Sequence, residues 1–239
     1  MKDLKHLYYF ENLLQEANND LVKKAKEDGG IALGYTCYHI PEVLLNCGNC
    51  FSVRLRAPRT GSMDIATYYM SNFLCGYSKA ILERAIEGGY NFLNALLSSE
   101  TCSEMNRAAE HFELLDLVPN DKFFLTFLDA PFKIEEHTIK HYVNQTKVKI
   151  LDKLKEVYGV DTSDEALLKA VEEHNEVCRL MTEIGDYRKE ENPRITGYEY
   201  HILNLITYCC PKALMLPALR ETAEELKTRE PDAKKNYRA

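Results

Sequence analysis

The sequence has no apolar run of about 18 residues, the length that a bilayer-spanning helix requires. Its N-terminus, residues 1–6, also lacks the apolar core of a signal peptide. Lysine and arginine are scattered and form no basic stripe interleaved with aromatic residues, which argues against binding to nucleic acid or to an anionic membrane surface. From these absences we expect a cytoplasmic protein with neither nucleic acid nor membrane as a partner.

Several motifs that commonly identify an enzyme are missing. There is no phosphate-binding loop, no Gly-x-Gly-x-x-Gly turn and no Gly-x-Ser-x-Gly elbow. No zinc-protease motif is present either. His137 and His141 are four residues apart on a predicted helix, but no third metal ligand is evident, so we interpret them as part of a solvated face.

The composition is that of a folded protein with a sizeable core. Of the 239 residues, 45% are hydrophobic and 28% are charged, and no stretch is low in complexity. The net charge of −7 points to no particular partner. In a reducing compartment, the eight cysteines are typical of thiols or metal ligands rather than disulfides.

Short apolar segments alternate with helix-length segments in the first half of the chain. The predicted strands are 31–35, 51–55, 92–97 and 122–128, and the predicted helices include 4–28, a helix that opens at Pro41 and ends near Gly48, and 63–87. This alternation indicates βαβ units and therefore a parallel sheet with both faces covered. We predict an α/β fold in which residues 1–132 form a four-stranded parallel Rossmann-like sheet.

The pattern changes after Pro131. The remaining predicted helices are 133–158, 163–191, 198–208 and 214–228, and they make residues 133–239 largely helical. The polar tail that follows contains Pro231, and such segments often lead into another domain. We therefore expect the helical segment to lead toward a missing C-terminal α/β domain.

One group of candidate functional residues follows the first predicted strand. Ligands of parallel α/β sheets bind beyond the carboxyl ends of the strands, where the next helix also presents free N–H groups. Thr36, Cys37, Tyr38 and His39 are clustered polar residues at that place, and Glu42 should lie in the first turn of the following helix. The same residues fit a helix cap over a buried tyrosine equally well.

Two cysteines form the second group. Cys75 lies in or near the start of a helix, and Cys102 lies just beyond the third predicted strand. Two thiols delivered toward one edge of a sheet fit a metal-cluster site. We expect the turn at 36–39 to share one cleft with both thiols.

The other paired cysteines are better explained by packing. Cys47 and Cys50 have Cys-x-x-Cys spacing, which suggests redox chemistry or zinc, but no second pair completes a zinc site. Cys209 and Cys210 are adjacent, and neighbouring side chains rarely ligate one metal together. We interpret all four as core or loop-packing residues.

Taken in order, these motifs resemble the D-component family of 2-hydroxyacyl-CoA dehydratases, the group that also includes benzoyl-CoA reductase subunits. The resemblance covers about residues 30–235. It departs from the family pattern at Gly76, where proline is usual, and at Asn46-Cys47, where a small pair is usual. The segments that carry it are Gly34-Tyr35-Thr36-Cys37-Tyr38-His39-Ile40-Pro41-Glu42, Cys47-Gly48, Val53-Arg54-Leu55, Cys75, Gly88 to Asn94, Thr101-Cys102, Asp164-Glu165-Ala166-Leu167 and Asn175.

The resemblance implies a subunit of an iron–sulfur lyase that works without oxygen. It implies a 4Fe–4S cluster held by Cys75, Cys102 and a third cysteine expected beyond residue 239, so that this chain is an incomplete and inactive portion. It also implies an ATP-hydrolysing iron–sulfur activator that injects one electron, and a homologous second subunit or a second copy as partner. In the family, the electron converts the thioester carbonyl of an acyl-CoA to a ketyl radical, after which water is eliminated. Thr36, Cys37 and Tyr38 are then the catalytic candidates that face the substrate.

Three other functions remain open at this stage. The chain can be a non-catalytic partner subunit or cluster carrier, or a reductase subunit similar to benzoyl-CoA reductase. It can also be a relative that has lost its cluster and serves as an interaction module.

Overall fold

A computed structural model describes residues 3–231; residues 232–239, most of the expected linker, lie outside this range. Within the described residues, a parallel sheet of four strands has the order β2-β1-β3-β4. The strands are β1 Ile31–Tyr35, β2 Cys50–Arg54, β3 Ala95–Ser99 and β4 Phe124–Leu128. The predicted α/β fold with a four-stranded parallel sheet is confirmed.

The third strand begins later than its apolar pattern predicts. Residues 92–94 form a turn, in which the backbone N–H of Leu93 donates to the carbonyl of Tyr90 at 3.1 Å. The Asn94 side chain then accepts a hydrogen bond of 2.9 Å from the N–H of Ala32 and ties the turn to β1. Leu93 is almost fully buried, so the apolar pattern here reflects burial rather than strand structure.

Two segments that we predicted as single helices are interrupted, and those predictions are wrong. Asn19 interrupts the first segment, because its side chain accepts hydrogen bonds of 3.1 Å from Leu21 and Val22 and caps a new helix. Ser71 ends the second segment, because its φ of 90° lies outside the region of a right-handed helix. The resulting helices are α1 Leu7–Leu13, α2 Asp20–Glu27, α3 Asp64–Met70 and α4 Gly76–Ile86.

The later helices follow the predicted pattern closely. The connection between β1 and β2 is an exception, because it forms only a 3-10 helix, Glu42–Asn46, with Pro41 at its N-cap. After α6, a π-helical turn, Lys147–Asp152, continues directly into α7. The helices are α5 Ser103–Leu114, α6 Glu136–Thr146, α7 Lys153–Tyr158, α8 Asp164–Asp186, α9 Gly197–Cys209 and α10 Lys212–Thr228.

Three clusters of buried apolar side chains hold these elements together. One cluster joins one face of the sheet to α3, α4 and α5, and a second joins the other face to the π-helical turn, α7 and the start of α8. The third cluster packs α1 against α8, α9 and α10. The boundary at residue 132 stays a prediction, since elements on both sides of it share clusters. No helix in residues 3–231 is long and apolar enough to cross a membrane.

Candidate functional site

The strand order places a topological switch point between β1 and β3. From β1 the chain continues to β2 on one side, and from β3 it continues to β4 on the other. The loops after β1 and β3 therefore diverge, and open α/β sheets bind ligands in the crevice that such a divergence leaves at the carboxyl ends of the strands. Residues 36–39 follow β1 and Cys102 follows β3, so these predicted site residues start at this crevice, whereas Cys75 lies at the start of α4.

The turn after β1 is hydrogen-bonded to the end of β3. Thr36 is buried, and its hydroxyl lies 3.2 Å from the hydroxyl of Ser98. Cys37 is partly exposed, and its sulfur lies 2.9 Å from the hydroxyl of Ser99. Ser99 in turn lies 2.8 Å from the hydroxyl of Thr101, the residue before Cys102. A chain of polar groups therefore connects Cys37 to the backbone beside Cys102.

Tyr38 and His39 stand on the solvent side of this turn. Tyr38 is 80% exposed, and its ring contacts the ring of His39 at a tilt of 31°, with 4.3 Å between the ring centroids. The carbonyl of His39 accepts a hydrogen bond of 2.6 Å from the hydroxyl of Tyr142 on α6. These side chains border a cleft of about 360 Å³, together with Ala130, Pro131, Lys133, Ile134, Thr138, Ile139 and Val143.

Cys75 and Cys102 occupy matching positions at the starts of two helices. Cys75 is the N-cap of α4, Cys102 is the N-cap of α5, and both are exposed. Neither side chain caps its own helix by a hydrogen bond, so both thiols remain available. The positive end of a helix macrodipole favours a nearby negative charge, so an anionic group can be accommodated at both positions.

Glu104 connects these two helix starts. It lies in the first turn of α5, two residues after Cys102, and its carboxylate accepts a hydrogen bond of 2.8 Å from the backbone N–H of Cys75. The structure therefore brings the backbones of both cysteines to one region beyond β3. Within residues 3–231, no three or more His, Cys, Asp or Glu side chains converge to form a complete metal site. Cys75 and Cys102 would thus need a further ligand to hold a metal cluster.

Glu42 lies in the first turn of the 3-10 helix, as expected, and it forms a buried network that the sequence did not reveal. One carboxylate oxygen pairs with the almost fully buried ammonium of Lys212 and accepts a hydrogen bond from Ser52. Asn46 donates to the same oxygen at 2.9 Å. Burial alone would raise the pKa of Glu42, but His174, Lys212 and Ser52 outweigh it and hold this pKa at about 2.

The two cysteine pairs and the histidine pair on α6 fit the structural interpretation given them. Cys47, Cys50, Cys209 and Cys210 are buried free thiols. His137 and His141 are exposed on the surface of α6, where they face Glu135 at 3.4 Å and Asp129 at 3.6 Å.

Sequence reasoning missed several residues that shape the site. For Ser99 and Thr101 a weak indication existed in the sequence: they are polar residues at the carboxyl end of a strand, where side chains commonly contact ligands. Glu104 had the signal of an acidic residue in a helix's first turn. Lys212 had no local signal, because it lies 170 residues from Glu42 in the sequence.

Comparison with known proteins identifies the family. The family model of the 2-hydroxyglutaryl-CoA dehydratase D-component matches residues 37–239. The β subunit of (R)-phenyllactyl-CoA dehydratase from Clostridium sporogenes is 22% identical over 222 residues, which are 93% of this chain and 58% of that protein. The β subunit of (R)-2-hydroxyglutaryl-CoA dehydratase from Acidaminococcus fermentans is 21% identical over 173 residues, which are 70% of this chain and 45% of that protein. The chain spans about half the length of these curated relatives. It therefore belongs to the 2-hydroxyglutaryl-CoA dehydratase D-component family.

Proposed function

We propose that the chain forms part of a subunit of a 2-hydroxyacyl-CoA dehydratase-type enzyme and supplies two of the cysteines that hold its iron–sulfur cluster. The observation that carries this proposal is the pairing of Cys75 and Cys102. Both thiols are exposed at helix starts beyond β3, and Glu104 joins the two starts. Family membership and the two related β subunits support the same reaction class.

The donor chemistry of this region fits an iron–sulfur cluster in part. Thiolates are the usual protein ligands of 4Fe–4S clusters, and both thiols are unblocked. The third cysteine ligand is expected beyond residue 239. When bound, the cluster would supply single electrons for reduction of the thioester carbonyl of the substrate.

The residues of the β1 turn position the substrate in this proposal. Cys37 is the catalytic candidate that can reach a substrate directly, because it is partly exposed at the switch-point crevice. Thr36 is buried and would act by holding the turn against β3. Tyr38 would cover the acyl-CoA from the solvent side, since it borders the 360 Å³ cleft with exposed apolar side chains such as Ile134. Closure by such groups excludes water from the reacting centre.

Exposed apolar side chains near the cysteines support a partner subunit. Tyr68 and Phe73 are 86% and 97% exposed on the segment that leads to Cys75, and Phe132 is fully exposed near the cleft. Exposed apolar patches commonly mark protein interfaces. We propose a homologous second subunit or a second copy at this surface, and an ATP-hydrolysing iron–sulfur activator as the electron donor.

A non-catalytic role within the same complex is the second candidate. Both curated relatives are named as β subunits, a name that implies a partner subunit, and in this second proposal the partner carries the catalysis. In that case the Cys37 turn would contact the partner rather than the substrate.

Turnover of the full-length protein in complex with its partner tests this function. With activator, ATP and a panel of 2-hydroxyacyl-CoAs in the absence of oxygen, we expect water elimination from at least one of them. Cys102→Ala should abolish this activity, whereas Cys47→Ala, a change at a buried cysteine just before β2, should retain it. A Cys37→Ala enzyme with unchanged turnover would assign the chain to the non-catalytic role. Absence of elimination with every substrate would contradict the dehydratase proposal.

A further inference from the structure

A second set of reactive side chains lies away from the strand ends, where α8 packs against the 3-10 helix. The sulfur of Cys178 lies 3.4 Å from Nε2 of His174, one helical turn earlier. On the other side of the ring, Nδ1 lies 3.3 Å from Oε2 of Glu42. This second contact is electrostatic, because the buried Nδ1 makes no well-directed hydrogen bond within residues 3–231. A thiol, an imidazole and a carboxylate are thus arranged in that order.

The carboxylate at the end of this series is held in place. Lys212, Ser52 and Asn46 all contact Oε1 of Glu42, which leaves Oε2 to face His174. A charged carboxylate beside Nδ1 favours the tautomer with a proton on that nitrogen. The lone pair of Nε2 then faces Cys178 and can accept its proton.

This geometry is that of an activated nucleophile. A thiol beside a base, with the base oriented by a third group, is the arrangement that turns cysteine into a nucleophile in unrelated enzymes. Cys178 is exposed, so an electrophile can reach it from solvent. The charged groups around His174 are Glu42, Lys212 of α10 and the neighbouring Glu173, whose carboxylate interacts with both.

We propose that Cys178 accepts an acyl group from a thioester. The sulfur of Cys178 attacks the thioester carbonyl carbon, and Nε2 of His174 takes the thiol proton. A new carbon–sulfur bond forms, the carbon–sulfur bond to the leaving thiol breaks, and His174 returns the proton to that thiolate. The products are S-acylated Cys178 and a free thiol, so the step requires no oxidant or reductant. The site is separate from Cys75 and Cys102 and does not rest on the proposed cluster, but the choice of a thioester as electrophile rests on the proposed acyl-CoA function.

Peptide mass spectrometry of the full chain incubated with butanoyl-CoA tests the proposal. Cys178 should be acylated at least about tenfold faster than N-acetylcysteine under the same conditions, because general-base assistance typically contributes about 10²-fold or more. If Cys178 of the natural protein is acylated at the same rate as N-acetylcysteine or more slowly, the proposal is overturned.

Two variants separate the base from a structural role. His174→Ala should slow acylation of Cys178 by about tenfold or more, and added imidazole should restore part of the rate. His141→Ala, a change at an exposed histidine on α6, should leave the rate unchanged. An unaltered rate in His174→Ala, or a slow rate that imidazole does not raise, would contradict the role of His174.

Discussion

Cys75 and Cys102 occupy the N-cap positions of α4 and α5, and both side chains are exposed. Neither thiol is used for capping, and the backbone of Cys75 is held instead by the Glu104 carboxylate at 2.8 Å. Hydrogen bonds to ionised acceptors are roughly twice as strong as neutral ones. Glu104 is therefore a positioning residue for Cys75 in the proposed cluster site.

Glu104→Gln should loosen this arrangement. The amide keeps an acceptor oxygen but loses the charge, so we expect iron to leave the full-length protein about three- to tenfold faster when a chelator is added without oxygen. Glu110→Gln provides the matched control, because Glu110 also lies on α5 and pairs only with Arg107 in the described residues, at 2.7 Å. Equal rates of iron loss in the two variants would show that Glu104 does not position Cys75.

The break between α3 and α4 determines where Cys75 lies along the chain. Ser71 ends α3 with φ and ψ of 90° and 152°, a region that is almost exclusive to glycine and costs other residues about 1–3 kcal/mol. A continuous helix over 63–87 would place Cys75 in the middle of that helix, away from its N-terminus. The interruption instead leaves it as the exposed first residue before α4.

Ser71→Gly should therefore stabilise the protein. Glycine removes the strain at the positive φ, and its greater freedom in the unfolded chain offsets part of the gain, so we expect about 1 kcal/mol more unfolding free energy in urea. Ser62→Gly is the control, since Ser62 has no positive φ and its hydroxyl accepts a hydrogen bond of 3.1 Å from the N–H of Asp64. A loss of stability in Ser71→Gly as large as in Ser62→Gly would argue against strain at this position.

Local patterns predicted the sheet well and the helix interruptions poorly. The strand segments are short apolar runs, and their alternation with helices predicts parallel pairing without tertiary information. Asn19 and Ser71 act through a side-chain cap and a backbone dihedral, and hydrophobic periodicity does not register either effect. The apolar residues Phe92 and Leu93 predict a strand, because residues buried in a turn show the same apolar pattern as residues buried in a strand.

The proximity of the turn at 36–39 to the end of β3 could be predicted from the sequence, but the contacts that support the proposed site could not. Residues after the carboxyl ends of β1 and β3 meet because parallel strands end at the same edge of the sheet. The Glu104 contact depends on how α4 approaches α5, and the Glu42–Lys212 pair depends on how α10 returns to the sheet. Such long-range contacts cannot be predicted from the spacing of residues along the sequence.

At the scale of the whole molecule, Glu42 connects the α/β sheet to the helical layer. Its carboxylate joins the 3-10 helix after β1 to Lys212 of α10 and faces His174 of α8. The pair is almost entirely buried, and a buried charge that loses its partner destabilises a fold strongly.

Glu42→Gln should lower the unfolding free energy at pH 7 by about 3–5 kcal/mol, because Lys212 would remain charged and unpaired. The folded pKa of Glu42, about 2, lies below its ordinary value of 4.5. The stabilisation is therefore fully present above about pH 4.5 and is lost as the pH falls toward 2. Urea denaturation across this pH range should show a falling unfolding free energy in the natural protein. The variant should not show this loss.

Glu221→Gln is the control for this prediction. The pKa of Glu221 is also held at about 2, by Lys5 and His6, but the group is fully exposed and its ion pairs are screened by solvent. We expect little change in stability at pH 7. If Glu42→Gln does not fold, the Glu42→Gln and Lys212→Met double variant should recover folding, and failure of both would contradict the unpaired-charge explanation.

Iron analysis is the decisive test of the proposed iron–sulfur cluster at Cys75 and Cys102. The full-length protein would be purified without oxygen, and iron and acid-labile sulfide would be measured in Cys75→Ala, Cys102→Ala, Cys178→Ala and Cys47→Ala. Cys178 is the exposed control and Cys47 the buried one. We expect about four irons per subunit in the natural protein and both controls, and a large loss in Cys75→Ala and Cys102→Ala. Equal iron in all four variants, or loss only in the controls, would contradict the proposed cluster site.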